Sequence, residues 1–296
     1  MRTFPLSRLA EILFAIPWIV FGIQHYMYAD FVRGLVPAYM PAHLFWVYLT
    51  GTAMLAAGVS FLIHKQVRLA AFLLACMLLL FILMLHSLLL TAEPAVGIHW
   101  TRFLQDTAIM GAALALARPP SPKTAALARY CYALPMLVLG AQHFTHNAFV
   151  TARVPDWFPA IDVFDYVIGL ILIATAIGML FTVNTERTDP YMAASLPGAS
   201  AHRAIEARTI TGRTIAARTS IALGIFLSLM FLLRHVPLLV KDPHNGFEWT
   251  GSMLDLALAA GAVIISACTL PRRRSAGLAS ASIVPVQHRD EALHIF

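Results

Sequence analysis

Gly22–Pro41 reads GIQHYMYADFVRGLVPAYMP, and Gly140–Pro159 reads GAQHFTHNAFVTARVPDWFP. The same Gly-x-Gln-His, Phe-Val and Val-Pro-x-x-x-Pro return after 118 residues without a gap. From Gly22 to Gly51 against Gly140 to Gly169, 11 of 30 positions are identical. Further on the offset becomes 149, and His86–Asp106 matches His235–Asp255 at 8 of 21 positions, among them the His, Pro94/Pro243, Gly97/Gly246, Trp100/Trp249, Thr101/Thr250 and Asp106/Asp255. Self-similarity at a fixed spacing is the mark of a duplicated structural unit. The change of offset places an insertion near 184–214.

What is duplicated is strongly apolar. The 296 residues are 59% hydrophobic and only 12% charged, against about 25% charged in ordinary soluble domains. A bilayer accommodates such a chain. About 20 apolar residues cross one. The runs predict eight spans, at about 9–28, 43–64, 68–91, 101–118, 127–146, 160–183, 217–240 and 249–270. The expected fold is therefore an all-α integral membrane protein of two four-helix bundles, residues 1–121 and 122–270, with a disordered tail at 271–296. Four spans per unit, an even number, give both units the same orientation, so the repeat is parallel. The N-terminal run AEILFAIPWIVFG has an internal counterpart, with Pro17 matching Pro135, so it reads as a membrane helix rather than a cleaved leader.

The net charge of +6 is spread between apolar runs rather than gathered on one basic face, which argues for topology signals and against nucleic-acid binding. Sixteen of the 21 Lys and Arg residues fall on one set of loops with the termini, and five, Arg33, Arg102, Arg153, Arg234 and Lys241, on the other. Positive residues collect on the cytoplasmic side. Both termini and the 184–214 insertion are then expected in the cytoplasm. The insertion reads as a weakly ordered basic loop. Cys76, Cys131 and Cys268 form no Cys-x-x-Cys and read as packing residues.

Under this topology the repeated polar positions collect near the outer surface. His25, His86, His143 and His235 stand at pseudo-equivalent heights; imidazole at such a place caps a helix, bonds a quinone carbonyl, or ligates haem or metal. Asp106 and Asp255 lie six residues inside the fourth helix of each unit, about 9 Å deep at 1.5 Å per residue. An intramembrane carboxylate costs about 2.5 kcal/mol or more unless partnered, which makes it a functional candidate. Two polar cavities are expected, one from His25, His86 and Asp106, the other from His143, His235 and Asp255. Arg102, one turn before Asp106, favours the first as the working one, since Gly251 takes its place in the second. No metal-ligand cluster stands out in the sequence.

The Gly22-Ile23-Gln24-His25 and Gly140-Ala141-Gln142-His143 segments, the proline pairs Pro37/Pro41 and Pro155/Pro159, and the subsequent Gly51 and Gly169 resemble the DoxX family of bacterial inner-membrane proteins, here as a tandem of the four-helix unit. The resemblance implies a subunit associated with quinone-linked membrane oxidoreductases, with a quinone ahead of a haem as cofactor. The alternatives are a structural or assembly partner of a membrane complex and a small-molecule or lipid carrier. A cysteine engineered into 184–214 is expected to react with an impermeant maleimide only after the inner membrane is permeabilised; reaction in intact spheroplasts would invert the topology.

Overall fold

The computed structural model describes residues 6–119, 121–145, 160–184 and 198–269, with backbone alone for 181–184 and 198–210. Every regular element among them is helical. The long helices are α1 Leu6–Met27, α2 His43–Ile63, α3 Val67–Ala92, α4 Gly97–Leu116, α5 Pro122–Thr145, α6 Ile161–Asn184, α7 from Gly198 to Lys241, and α8 Gly246–Thr269. One short helix, Ala29–Arg33, comes after α1. Seven of the long helices are long and apolar enough to cross a membrane. The exception is α4, 20 residues long but carrying Arg102, Gln105 and Asp106 on one stretch. Residues 198–214, expected as a weakly ordered loop, are instead helical and run unbroken into the membrane-length part of α7. Ala-, Arg- and Ile-bearing sequence elongates readily once a helix is nucleated next to it, because elongation adds one bond per residue fixed. The second Val-Pro-x-x-x-Pro loop, with Pro155, Trp157 and Pro159, and the 271–296 tail lie outside the described residues.

Each helix packs on the next in the chain, and α8 closes the ring onto α1. Across the middle, α4 packs on α8. The helices of the first half do not close on themselves: α1 packs on α2 and α8, and α5 packs on α4 and α6. The halves therefore interlock, and α8 is the most enclosed of the seven apolar helices. Alanine is the commonest core residue, as at Ala108, Ala112, Ala113, Ala257, Ala260 and Ala262, set among larger side chains such as Phe14, Trp18, Phe61 and Tyr132. Further leucines and phenylalanines face outward, as at Leu69, Phe72, Leu80 and Leu232, joined by Ile225. Both features suit lipid, where helices gain by close van der Waals approach rather than by hiding apolar side chains from water.

Close approach explains much of the repeated sequence. A Cβ at Gly22 would lie 2.8 Å from the Gly51 carbonyl oxygen, and one at Gly140 2.9 Å from that of Gly169. In return, a Cβ at Gly51 would meet His25 Cβ at 2.7 Å, and one at Gly169 His143 Cβ at 2.8 Å. The Gly of Gly-x-Gln-His thus lets α1 meet α2, and α5 meet α6, at glycine pairs onto which the histidines fold. Beside these pairs Tyr26 stacks on Tyr48 at 5.3 Å, and Phe144 on Tyr166 at 5.4 Å. Trp100 donates its indole N–H to the Pro94 carbonyl and Trp249 to that of Pro243, both at 2.9 Å, so the repeated Pro and Trp clasp the turn into α4 and α8.

Gly111 puts close packing to the test. A Cβ there would come 2.6 Å from the Ala128 carbonyl and 2.7 Å from the Tyr132 nitrogen, both backbone. Gly111→Ala is expected to lower stability by about 1–3 kcal/mol, read as a lower unfolding midpoint in detergent. Gly246→Ala, where a Cβ meets nothing within 4 Å, should leave the midpoint within about 0.5 kcal/mol of the parent.

Candidate functional site

Both repeated histidine–aspartate positions form pairs. His86 Nε2 lies 2.9 Å from Asp106 Oδ2, and His235 Nε2 lies 2.7 Å from Asp255 Oδ2. Each histidine ends a five-residue π-helical turn, Ile82–His86 in α3 and Phe231–His235 in α7. A π-turn inserts one residue into an α-helix, which rotates the rest of the helix by about 100°. The wider turn is where α3 and α7 bring their imidazoles to the carboxylates of α4 and α8. In both pairs Nδ1 is buried without a hydrogen-bond partner. The imidazole is thereby committed through one nitrogen to one carboxylate.

A third pair joins residues that the repeat does not link. His143 Nδ1 lies 2.6 Å from Asp165 Oδ1, and the Asp165 side chain is fully buried. The repeat counterpart of Asp165 is Val47. Accordingly His25 has no carboxylate there; its Nδ1 lies 2.7 Å from the Phe21 carbonyl, one turn back on its own helix. A search for identical repeat positions passes over Asp165. The rule that singled out Asp106, a carboxylate inside an apolar helix, would have found it.

The structure gathers these residues unequally. A cavity of about 220 Å³ is lined by His143, Asp165, His235 and Asp255 together, and by Arg102, Arg234 and Glu248. The rest of its wall is mostly apolar, with Met136, Leu139, Ile168, Phe226 and Leu258, and carries Thr101, Gln105 and Gln142 as well. The expected first-half cavity of His25, His86 and Asp106 is not assembled in the same way. His25 bonds back to its own helix while His86 and Asp106 bond each other, because α1 packs on α2 and α8 rather than on α3 and α4.

Arg102, expected beside Asp106, lines the cavity of the other half. Its guanidinium donates to Gln105 Oε1 at 3.1 Å and lies 5.9 Å from the Phe247 ring centre. Gln105 Nε2 in turn reaches Asp255 Oδ1 at 3.4 Å, and Arg234 Nη1 stands 3.9 Å from Asp255 Oδ2. Thr101 donates to Gln142 Oε1 at 3.2 Å. The first half thus contributes one helix, α4, to a cavity otherwise built by the second. The physical reason is the interlocked packing: α4 faces α5 and α8 as well as α3.

Among the described residues no three His, Cys, Asp or Glu side chains converge as a metal site would require. The chain matches no family model, no curated protein and no solved structure.

Removing a carboxylate should strand its imidazole. Asp106→Ala is expected to destabilise the α3–α4 contact by about 1–3 kcal/mol, seen as a lower unfolding midpoint, with restoration toward the parent in Asp106→Asn, which still accepts from Nε2–H.

Proposed function

We propose that the chain is an eight-span protein of the bacterial inner membrane, two parallel four-helix units with both termini cytoplasmic, related to DoxX-type subunits. We infer that it binds a quinone-like ligand near the outer leaflet as a subunit associated with a membrane oxidoreductase. One observation carries this reading: two imidazole–carboxylate pairs and two guanidinium groups meet at one cavity whose other lining is mostly apolar. A quinone has the matching chemistry, a flat head with carbonyl oxygens that accept hydrogen bonds and an apolar tail. Imidazole and guanidinium donate to such oxygens. The carboxylate beside each imidazole fixes the orientation of the ring.

This reading reverses the expected ranking of the two units. Asp165 and Arg102 line the second-half cavity, whereas Val47 stands in the first half where the repeat would place a counterpart of Asp165. His86–Asp106 then acts as a clasp between α3 and α4. A through-carrier finds less support. The buried band of Ala108, Ile109, Ala112, Ala257 and Ala260 lies along α4 and α8 between the polar ends of the bundle, and supports a one-sided site.

Gentle purification and then lipid-extract mass analysis tests the proposal. A bound quinone is expected, falling at least tenfold in Asp165→Asn and in His235→Gln, while His86→Gln retains it. Absence of quinone from the parent, with unimpaired quinol oxidation in a deletion strain, would sink the reading and favour the structural-partner role.

A further inference from the structure

The duplication allows the wall of the histidine cavity to be compared, place by place, with the same places in the first half. Met136 and Leu139 of α5 line the cavity, and their counterparts on α1, 118 residues earlier, are Trp18 and Phe21. Met230 of α7 lines it too, and its counterpart on α3, 149 residues earlier, is Phe81. Three aromatic rings of the first half are thus exchanged for flexible side chains without rings. Phe226 and Phe247 go the other way, with Met77 and Ile98 as counterparts. The cavity is cleared of rings on its α5 side and keeps them on its α7 and α8 sides.

Trp18 shows what the first half puts in the cleared place. It is 2% exposed, and its ring meets Phe14 at 5.8 Å and Phe21 at 5.9 Å, both edge to face. A buried indole usually finds a partner for its N–H. Among the described residues the Trp18 Nε1 is buried with none. The side chain is therefore held by volume and shape rather than by a hydrogen bond, and a flat ring system fits this level of the bundle.

Gly251 points the same way. A Cβ at Gly58, Gly111, Gly178, Gly224 or Gly261 would come within 2.8 Å of a neighbour, so helix packing demands those glycines. At Gly251, which lines the cavity, the nearest atom is His235 Cε1 at 3.9 Å. Glycine inside a helix is less favourable than alanine, and close approach does not account for it here. Arg102, its repeat counterpart on the same cavity, does not fill the space either, since none of its atoms lies within 4 Å of that Cβ position. The backbone of α8 is left bare beside the His235 ring. A cavity of about 150 Å³ takes one benzene ring, so the 220 Å³ here is on the scale of a ring head with its tail outside.

We propose that a planar ring head sits between Met136 and Gly251, with His235 at its edge, in the volume that the Trp18 indole takes up in the first half. This rests on the quinone reading and adds where the head lies and which two residues keep the place open. The first half carries its own ring there and takes no ligand.

Decylubiquinone retained by the intact chain after gel filtration in detergent tests this, measured with the unfolding midpoint for the parent, Met136→Trp, Gly251→Ala and, as a control outside the cavity, Gly246→Ala. The parent and Gly246→Ala are expected to retain it equally. Met136→Trp should retain at least tenfold less and Gly251→Ala at least threefold less, each at a midpoint no lower than the parent's, because the first half already accommodates the indole and alanine favours the helix. If Met136→Trp lowers the midpoint, Gly251→Ala decides alone. Parent-level retention in Gly251→Ala or in a folded Met136→Trp, or loss in Gly251→Ala that comes with a lower midpoint, overturns the proposal and leaves the quinone reading standing. A parent that retains no decylubiquinone overturns both.

Discussion

A carboxylate carried into an apolar helix bundle must meet a partner there, because lipid offers it none. Among the described residues the chain meets the demand with imidazole at His86–Asp106, His143–Asp165 and His235–Asp255, and near the start of α1 at His64–Glu11. The energetics explain why such pairs tell more about position than about stability. A hydrogen bond to a charged group contributes about 1.5–3 kcal/mol, while the burial it offsets costs a similar amount or more. The pairs gain the fold little net free energy. What they do is forbid any helix arrangement that leaves a carboxylate alone, and so fix which faces of α3 and α4, α5 and α6, and α7 and α8 meet.

The glycine pairs act with them. Gly22 against Gly51 and Gly140 against Gly169 bring backbones together closely enough that the neighbouring histidine Cβ atoms rest on the opposite glycine. Alanines elsewhere let the helices of the interior approach one another, while many large apolar side chains cover the outside. Position and proximity are thus set by two residue types with opposite properties, one nearly without a side chain and one with a side chain that must be partnered.

Duplication and interlocking together produce an asymmetric molecule from a nearly symmetric chain. Because α4 packs across to α5 and α8, its Arg102 and Gln105 serve the second half. Where the first half has Val47 the second has Asp165. The same duplication, at the other end, sets Glu11 opposite Arg129 in the repeat. Substitutions between copies at both ends, Val47/Asp165 and Arg102/Gly251 at one and Glu11/Arg129 at the other, give the two halves different electrostatic surroundings.

In the residues alone, the helical class, the apolar spans, the duplication and the six repeated polar positions are all legible, because periodicity, composition and self-similarity are local properties of the chain. The pairing of His86 with Asp106 and of His235 with Asp255 was within reach as well, since both members repeat at one offset. Three things were decided only in three dimensions. The π-turns at Ile82–His86 and Phe231–His235 leave no mark in composition, yet they set the angle at which each imidazole meets its carboxylate. Asp165 differs from its repeat partner, so a search for sameness passes over it. Arg102 is one turn from Asp106 along its helix, but a helix surface has several neighbours, and only the packing of α4 between α3, α5 and α8 determined which of them its side chain would serve.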